Sequence, residues 1–223
     1  MHCRLGSCLM RKTITCYLIR HGRTRGNLEK RYIGRNIDEP LSSAGRRELL
    51  QLKKEYPHEL QEVTRHHPTV VTSPMKRAIE TADLLFPGAD LIREPRIEEM
   101  DFGIFEGKNY QELSGDLRYQ AWISSFCREK ILEGESMAEF CRRSYLGFSS
   151  RVLEVAKADP SGNAPLIFLC HGGTIMAVLS RLTGEDYYSF QVGNGDGFCI
   201  EIGVNEDELT AISYHRLLFG VPS

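Results

Sequence analysis

Three short apolar runs in this chain stop in the same manner, and that repetition constrains the fold more than any other feature. Thr13–Ile19 (TITCYLI), Thr69–Thr72 and Leu166–Cys170 each give way to a few polar residues and then to a stretch with helical periodicity. The first run is nearly continuous in apolar residues, as expected of a strand covered on both faces. Strands that alternate with helix-period segments predict an α/β fold, here a three-layer α/β/α sandwich around a mostly parallel sheet.

Local signals place the remaining elements. Ser42 caps a helix through SSAGRRELLQLKKEY, and Ser73-Pro74 reads as N-cap plus first helical residue of MKRAIETADLLF. Ser136-Met-Ala-Glu139 matches a capping box, and the helix behind it runs to about Ala158, ended by Asp159-Pro-Ser-Gly. Glu94 to Lys108 shows little periodicity. TIMAVLSRL is a helix, and Phe198–Ile202 and Leu209–Tyr214 read as closing strands, the first entered through the Gly193–Gly197 turn. No repeat or linker divides the chain. We expect a disordered extension over residues 1–12 and one domain over 13–223, with an excursion at about 104–135 over the active site.

Composition excludes several classes. A net charge of -2 does not suit a protein that coats nucleic acid or an anionic membrane, although it allows a local cationic pocket. No apolar run reaches membrane-spanning length and the N-terminus lacks a signal-peptide core, so the expected location is the cytoplasm. Seven cysteines, an odd number without paired spacing, fit a reducing compartment. No zinc spacing occurs, and the adjacent His66 and His67 cannot share a metal; with His58 and His215 they are expected at the surface.

Ligands of open parallel sheets bind beyond the carboxyl ends of strands. Three such ends here present Arg20-His21-Gly22, Ser73 to Arg77 and His171-Gly172-Gly173, gathering two arginines and two histidines. Two guanidinium forks and oriented helix N–H groups suit a phosphoryl group, and a neutral imidazole is a competent nucleophile toward phosphorus. Nothing metallic or organic is needed as a cofactor.

These residues resemble the histidine phosphatase superfamily, whose signature R-H-G-x-T-x-x-N is matched by RHGRTRGN (20–27). The resemblance continues in order through Gly34, Asp38, PLSSAG (40–45), SPMKRAIETA (73–82), EMDFGIFEG (99–107), GES (134–136) and HGG (171–173). It implies a phosphoglycerate mutase-like fold and a set of roles. His21 would attack phosphorus. Arg20, Arg77 and His171 would hold the phosphoryl oxygens, with Thr24, Asn27, Gly34 and Gly172 completing the substrate site. Glu99 would protonate the leaving oxygen, a task that requires it to hold a proton near neutral pH. Glu94, Glu98 and Glu106 lie close by as competing candidates. The cation of Arg20 is expected to keep His21 neutral. Tyr119 and Trp122 either pack the excursion or line the substrate mouth.

The same resemblance separates hydrolases from mutases. Mutases typically have Ser where this chain has Thr24 and Trp where it has Gly26, and they carry a longer excursion, so hydrolysis is favoured. The G-x-x-x-D-x-P-L run (34–41) is similar to bacterial α-ribazole phosphatases, which would place the chain in cobalamin assembly. The implied partner is a small-molecule phosphate ester, with neither nucleic acid nor membrane; a homodimer stays open. Mutase-type phosphoryl transfer and a catalytically silent phosphate-ligand binding protein are the alternatives.

Overall fold

The computed structural model describes residues 12–64, 68–158 and 165–217. In chain order the elements are β1 (Lys12–Arg20), α1 (Arg25–Leu28), α2 (Ser43–Glu55), α3 (Pro57–Thr64), β2 (Thr69–Thr72), α4 (Lys76–Leu85) and β3 (Leu91–Arg93). There follow α5 (Tyr110–Leu113), α6 (Leu117–Ser124), α7 (Met137–Ala158), β4 (Leu166–Cys170), α8 (Gly172–Thr183), β5 (Gly197–Asn205) and β6 (Glu208–Leu217). The six strands form one sheet in the order β3-β2-β4-β1-β5-β6. The pairings from β3 through β1 are parallel, and β5 and β6 add antiparallel at the other flank.

Strand alternation sorts the core into two layers of side chains. Leu166, Phe168 and Cys170 of β4 face Phe148 and Val152 of α7 and Ile175, Val178 and Leu179 of α8. Ile167 and Leu169 face the opposite way, onto Leu49 and Leu52 of α2, Leu60 and Val63 of α3, and Ala82 and Leu85 of α4. Helices therefore cover both faces, which explains why β4 is buried at every position. A third cluster joins Met100, Phe105, Leu113, Tyr119, Trp122 and Ile131 to Phe140 of α7 and Ala177 of α8. It is the core of the segment that crosses beside the carboxyl end of the sheet. Among the described residues no helix is long and apolar enough to cross a membrane.

The strands over 69–72 and 166–170 have the bounds expected from their sequence, whereas β5 and β6 run longer than 198–202 and 209–214. Ser42 caps α2 by accepting the Gly45 N–H at 3.0 Å, and the capping box of α7 forms between Ser136 and Glu139. The stop at Asp159-Pro-Ser-Gly and residues 1–11 of the expected 1–12 extension lie outside the described residues, as do His66 and His67, whereas Lys12 already belongs to β1; His215 is exposed. No element is expected from the sequence at the short helices α1, α3, α5 and α6 or at the edge strand β3.

One start signal misleads. Ser73 does not cap α4, which begins at Lys76 behind Met75. The cap is tertiary: Asp38 Oδ1 accepts the Lys76 N–H at 2.7 Å. That frees the Ser73 hydroxyl for another partner.

Candidate active site

β2, β4 and β1 are adjacent and parallel, so their carboxyl ends converge. The ladder extends past the strands, with His21 N–H donating to Cys170 O at 3.0 Å and Ser73 N–H to Leu169 O at 2.9 Å. His21, Ser73 and His171 are thereby held side by side.

The rings of His21 and His171 lie 5.1 Å apart, centroid to centroid, at an interplanar angle of 64°. Both are buried, with 4% and 0% of their surface exposed. His21 Nδ1 lies 2.7 Å from Gly22 O. A carbonyl only accepts, so Nδ1 carries the hydrogen and Nε2 keeps a lone pair. Arg77 Nε donates to His171 Nδ1 at 3.3 Å, which places the other hydrogen on Nε2, facing Ser73 Oγ at 2.9 Å. Burial holds the His21 imidazole well below its ordinary pKa, reinforced by the guanidinium of Arg77 and then of Arg20. Burial, Arg77, His21 and Arg20 lower His171 in the same sense. Both imidazoles are neutral at physiological pH. Arg20 is thus only the third contributor to the neutrality of His21, behind desolvation and Arg77.

Arg77, 1% exposed, is gripped by carbonyls: Nη1 donates to Ile37 O and Nη2 to Gly34 O, each at 3.0 Å. A Cβ on Gly34 would stand 2.2 Å from Met100 O, so only glycine lets this loop come close enough to hold the arginine. Arg20 Nη1 donates to Val192 O at 2.7 Å, and its buried Nε has no acceptor among the described residues. Thr24 is buried and caps α1, exchanging hydrogen bonds with Asn27. Gly172 opens α8 against the Arg20 side chain.

The four candidate carboxylates are separated by their partners. Glu94 is bound by Arg96 and Arg151, and Glu98 by Arg35. Glu106, its pKa raised by burial, accepts the Asn36 and Phe102 N–H groups. Glu99 lies on the hollow beside Arg20 and Gly172. Its Oε1 accepts the Met100 N–H and its Oε2 the Gly173 N–H, at 3.0 and 3.2 Å. A Cβ on Gly173 would fall 2.3 Å from Glu99 Oε1, so the glycine makes room for the carboxylate.

Three supporting residues escape sequence reasoning. Ser73 orients His171. Asn194, inside a segment that reads only as a turn, donates Nδ2 to His21 O and to Asn27 Oδ1, at 3.0 and 3.1 Å. Arg143 clamps Glu135 and donates to the carbonyls of Arg96, Glu98 and Glu99. A serine directly after a buried strand was the available signal for the first; the other two have none.

The family model of the histidine phosphatase superfamily (branch 1) matches residues 16–213. The chain belongs to that superfamily. A relative from Cronobacter sakazakii, named probable phosphoglycerate mutase GpmB, is 30% identical over 179 residues, spanning 78% of this chain and 76% of its own. The solved structure of the alpha-ribazole phosphatase from Shigella flexneri superposes with a TM-score of 0.69 at 23% identity, over 89% of this chain and 94% of that one. A phosphoglycerate mutase from Thermus thermophilus gives 0.59 at 28% identity, over 90% and 98%. The phosphoglycerate mutase-like fold of the superfamily is therefore the fold of this chain.

Next to the histidine pair lies a hollow of about 370 Å³. Arg20, Glu99, Gly172 and Gly173 form one end, and Tyr32, Phe102, Trp122, Tyr187, Tyr188, Met137 and Met176 line much of the rest. Trp122 both packs the crossing segment and reaches this wall, whereas Tyr119 belongs to the packing alone, with its hydroxyl 2.8 Å from that of Tyr32. Arg20 is the hollow's one cationic lining residue among the described residues.

Proposed function

We propose that this superfamily member is a phosphomonoesterase, hydrolysing a small phosphorylated metabolite through a transient phosphohistidine on His21. The observation that carries the reading is the pair of neutral imidazoles 5.1 Å apart, one with an unprotonated Nε2, beside the guanidiniums of Arg20 and Arg77. In the first half-reaction the His21 Nε2 lone pair forms the N–P bond as the ester P–O bond breaks, and Glu99 gives its proton to the departing oxygen. Water then attacks phosphorus and surrenders a proton to Glu99, while the N–P bonding pair returns to Nε2. The cycle thus returns to Glu99 the proton it gave up and to His21 Nε2 its lone pair.

Stabilisation of the phosphoryl oxygens is the larger part of the task. The unpartnered Nε of Arg20 and the guanidinium of Arg77 supply donors, Arg77 exchanging its bond to His171 Nδ1 for the ligand; His171 donates as well once its hydrogen moves to Nδ1 and the Ser73 hydroxyl donates to Nε2. At an effective dielectric near 20, a unit charge pair at 4 Å contributes roughly 4 kcal/mol before desolvation. Thr24 and Gly34 act at one remove, Thr24 by shaping α1 and Gly34 by gripping Arg77. Asn27 and the opening of α8 at Gly172 border the phosphoryl group. Hydrolysis is favoured over mutase-type transfer by Thr24 and Gly26, which stand where mutases typically carry Ser and Trp. The free thiols of Cys16, Cys127, Cys141, Cys170 and Cys199 favour a cytoplasmic setting.

The test is hydrolysis of p-nitrophenyl phosphate in EDTA, then of a metabolite panel headed by α-ribazole 5′-phosphate. His21→Ala should lower phosphate release by roughly three orders of magnitude or more, with an unchanged circular dichroism spectrum. An acid-labile phosphoprotein seen by mass spectrometry should vanish with it. Glu99→Gln should slow alkyl phosphates far more than p-nitrophenyl phosphate, whose leaving group needs little protonation; equal slowing removes Glu99 from the acid role. Conversion of 3-phosphoglycerate to its 2-isomer without phosphate release would establish the mutase alternative. A folded protein that turns over no ester would be a binding protein.

A further inference from the structure

An acid in the role given to Glu99 must present its proton within hydrogen-bond reach of the departing oxygen. The backbone that carries Glu99 belongs to no strand or helix: it lies in the irregular stretch between Ile97 and Gly103, where no ladder fixes the chain. Thr174 of α8 reaches only the carbonyls of Ile97 and Glu98, at 3.2 and 3.4 Å. A misplacement of about 1 Å at a reacting group costs on the order of a hundredfold in rate. The segment therefore needs a firmer hold.

Gly134-Glu135-Ser136, a motif the chemistry above leaves unused, supplies it. Ser136 caps α7, and that helix carries Arg143 eight residues beyond Glu135. Arg143 Nε and Nη2 donate to Glu135 Oε1 and Oε2, both at 2.8 Å, as a bidentate fork. The same guanidinium reaches the carbonyls of Arg96 and Glu98 through Nη1, at 2.9 and 3.1 Å, and that of Glu99 through Nη2, at 3.2 Å. Glu135 takes the far side: its Oε2 accepts the Asp101 N–H and its own N–H donates to Asp101 O, each at 3.0 Å. A Cβ on Gly134 would stand 2.5 Å from Asp101 O, so only glycine permits this approach. Phe140, fully buried, supports the Arg143 guanidinium at 5.4 Å. Neither Glu135 nor Arg143 lines the hollow, and their side chains are 16% and 17% exposed.

We propose that Glu135 and Arg143 are positioning residues for the acid: as one charged clamp they aim the Glu99 carboxyl at the leaving oxygen without touching the substrate. This rests on the phosphatase reading above. The clamp requires an arginine, because five bonds leave one planar guanidinium, whereas an ammonium offers three from a single point.

The experiment compares p-nitrophenyl phosphate with ethyl phosphate by kcat/KM, which reports the step that breaks the ester bond. Arg143→Lys keeps the charge and loses the fork. It should lower kcat/KM about thirtyfold for ethyl phosphate and about threefold or less for p-nitrophenyl phosphate, with inhibition by inorganic phosphate within about twofold of wild type. Glu135→Gln, which keeps one acceptor oxygen, should act in the same direction with a smaller loss, and decides the matter alone should Arg143→Lys not fold. On ethyl phosphate the double variant Glu99→Gln/Arg143→Lys should lie within about twofold of Glu99→Gln, since no acid is left to aim.

Equal slowing of the two esters in a folded single variant, or losses that multiply in the double variant, would overturn the proposal, because general loosening of the fold is blind to the leaving group. Failure of the reading beneath it looks different. Glu99→Gln itself then slows both esters equally, or the wild type cleaves neither, and the clamp falls with the acid it was to serve.

Discussion

Protonating either histidine of the site would put a third cation beside two guanidiniums in a buried space, and the fold resists it. His21 and His171 titrate well below the ordinary imidazole range, chiefly through desolvation. In the unfolded chain each returns to about 6.5. Between the folded and unfolded values the unfolded state holds more protons, so stability rises with pH there and is complete above about 6.5. Urea midpoints should therefore be flat from pH 7 to 8 and fall as pH drops below about 6.5. His21→Asn should remove a proton uptake on unfolding that is about one half at pH 6.5 and grows toward one as the pH falls from there. An unchanged slope would show that the folded imidazole titrates like a free one. Catalysis should follow the same sign, the acid limb of kcat/KM attributable to His21 lying below its ordinary value. Asn194 is the other residue whose effect is readable alone, since it ties His21 O to Asn27 Oδ1. Asn194→Ala should lower kcat about tenfold through misplacement of the proposed nucleophile, while the melting temperature falls by only a few degrees.

Helix α4 illustrates why element boundaries are harder to read than elements. Its first turn has no side-chain cap of its own, and the acceptor for the Lys76 N–H comes from Asp38 across the loop. Removing it as Asp38→Ala should cost about 1 kcal/mol, or roughly 2–4 °C in a domain of this size. Because the same turn carries Arg77, KM for phosphate esters should rise several-fold, and Asp38→Asn, which keeps an acceptor, should recover most of the loss. A melting shift without any change in KM would separate the cap from the arginine. Rules that act within a few residues cannot see a cap supplied from so far along the chain, and they assigned Ser73 to the task. By contrast, β2 and β4 were legible to the residue, because burial on both faces compresses them into unbroken apolar runs. The edge strand β3, only three residues long and mostly exposed, leaves no such trace. Within the site, His21, Arg77 and His171 stand at strand and helix ends where a motif is visible. Asn194 and Arg143 work through backbone carbonyls of other segments, which no local pattern encodes.

At the scale of the molecule, the third hydrophobic cluster joins the crossing segment to α7 and α8 and thereby fixes the far wall of the hollow. A ligand that fills both the phosphoryl corner and that wall should stabilise the whole cooperative unit, by about 2.7 kcal/mol at one hundred times its dissociation constant. Vanadate or a slowly cleaved ester should accordingly raise the melting temperature by several degrees, and His171→Ala should blunt the increase. The strand order carries one more consequence. β1, the first of the described strands, sits between β4 and β5, where Cys16 pairs with Leu166 on one side and Ile200 on the other. A ribosome has to reach β4 before this apolar, β-prone segment finds either neighbour. The nascent segment is therefore exposed to wrong partners throughout that interval, and yield should depend on chaperone supply far more than final stability would suggest.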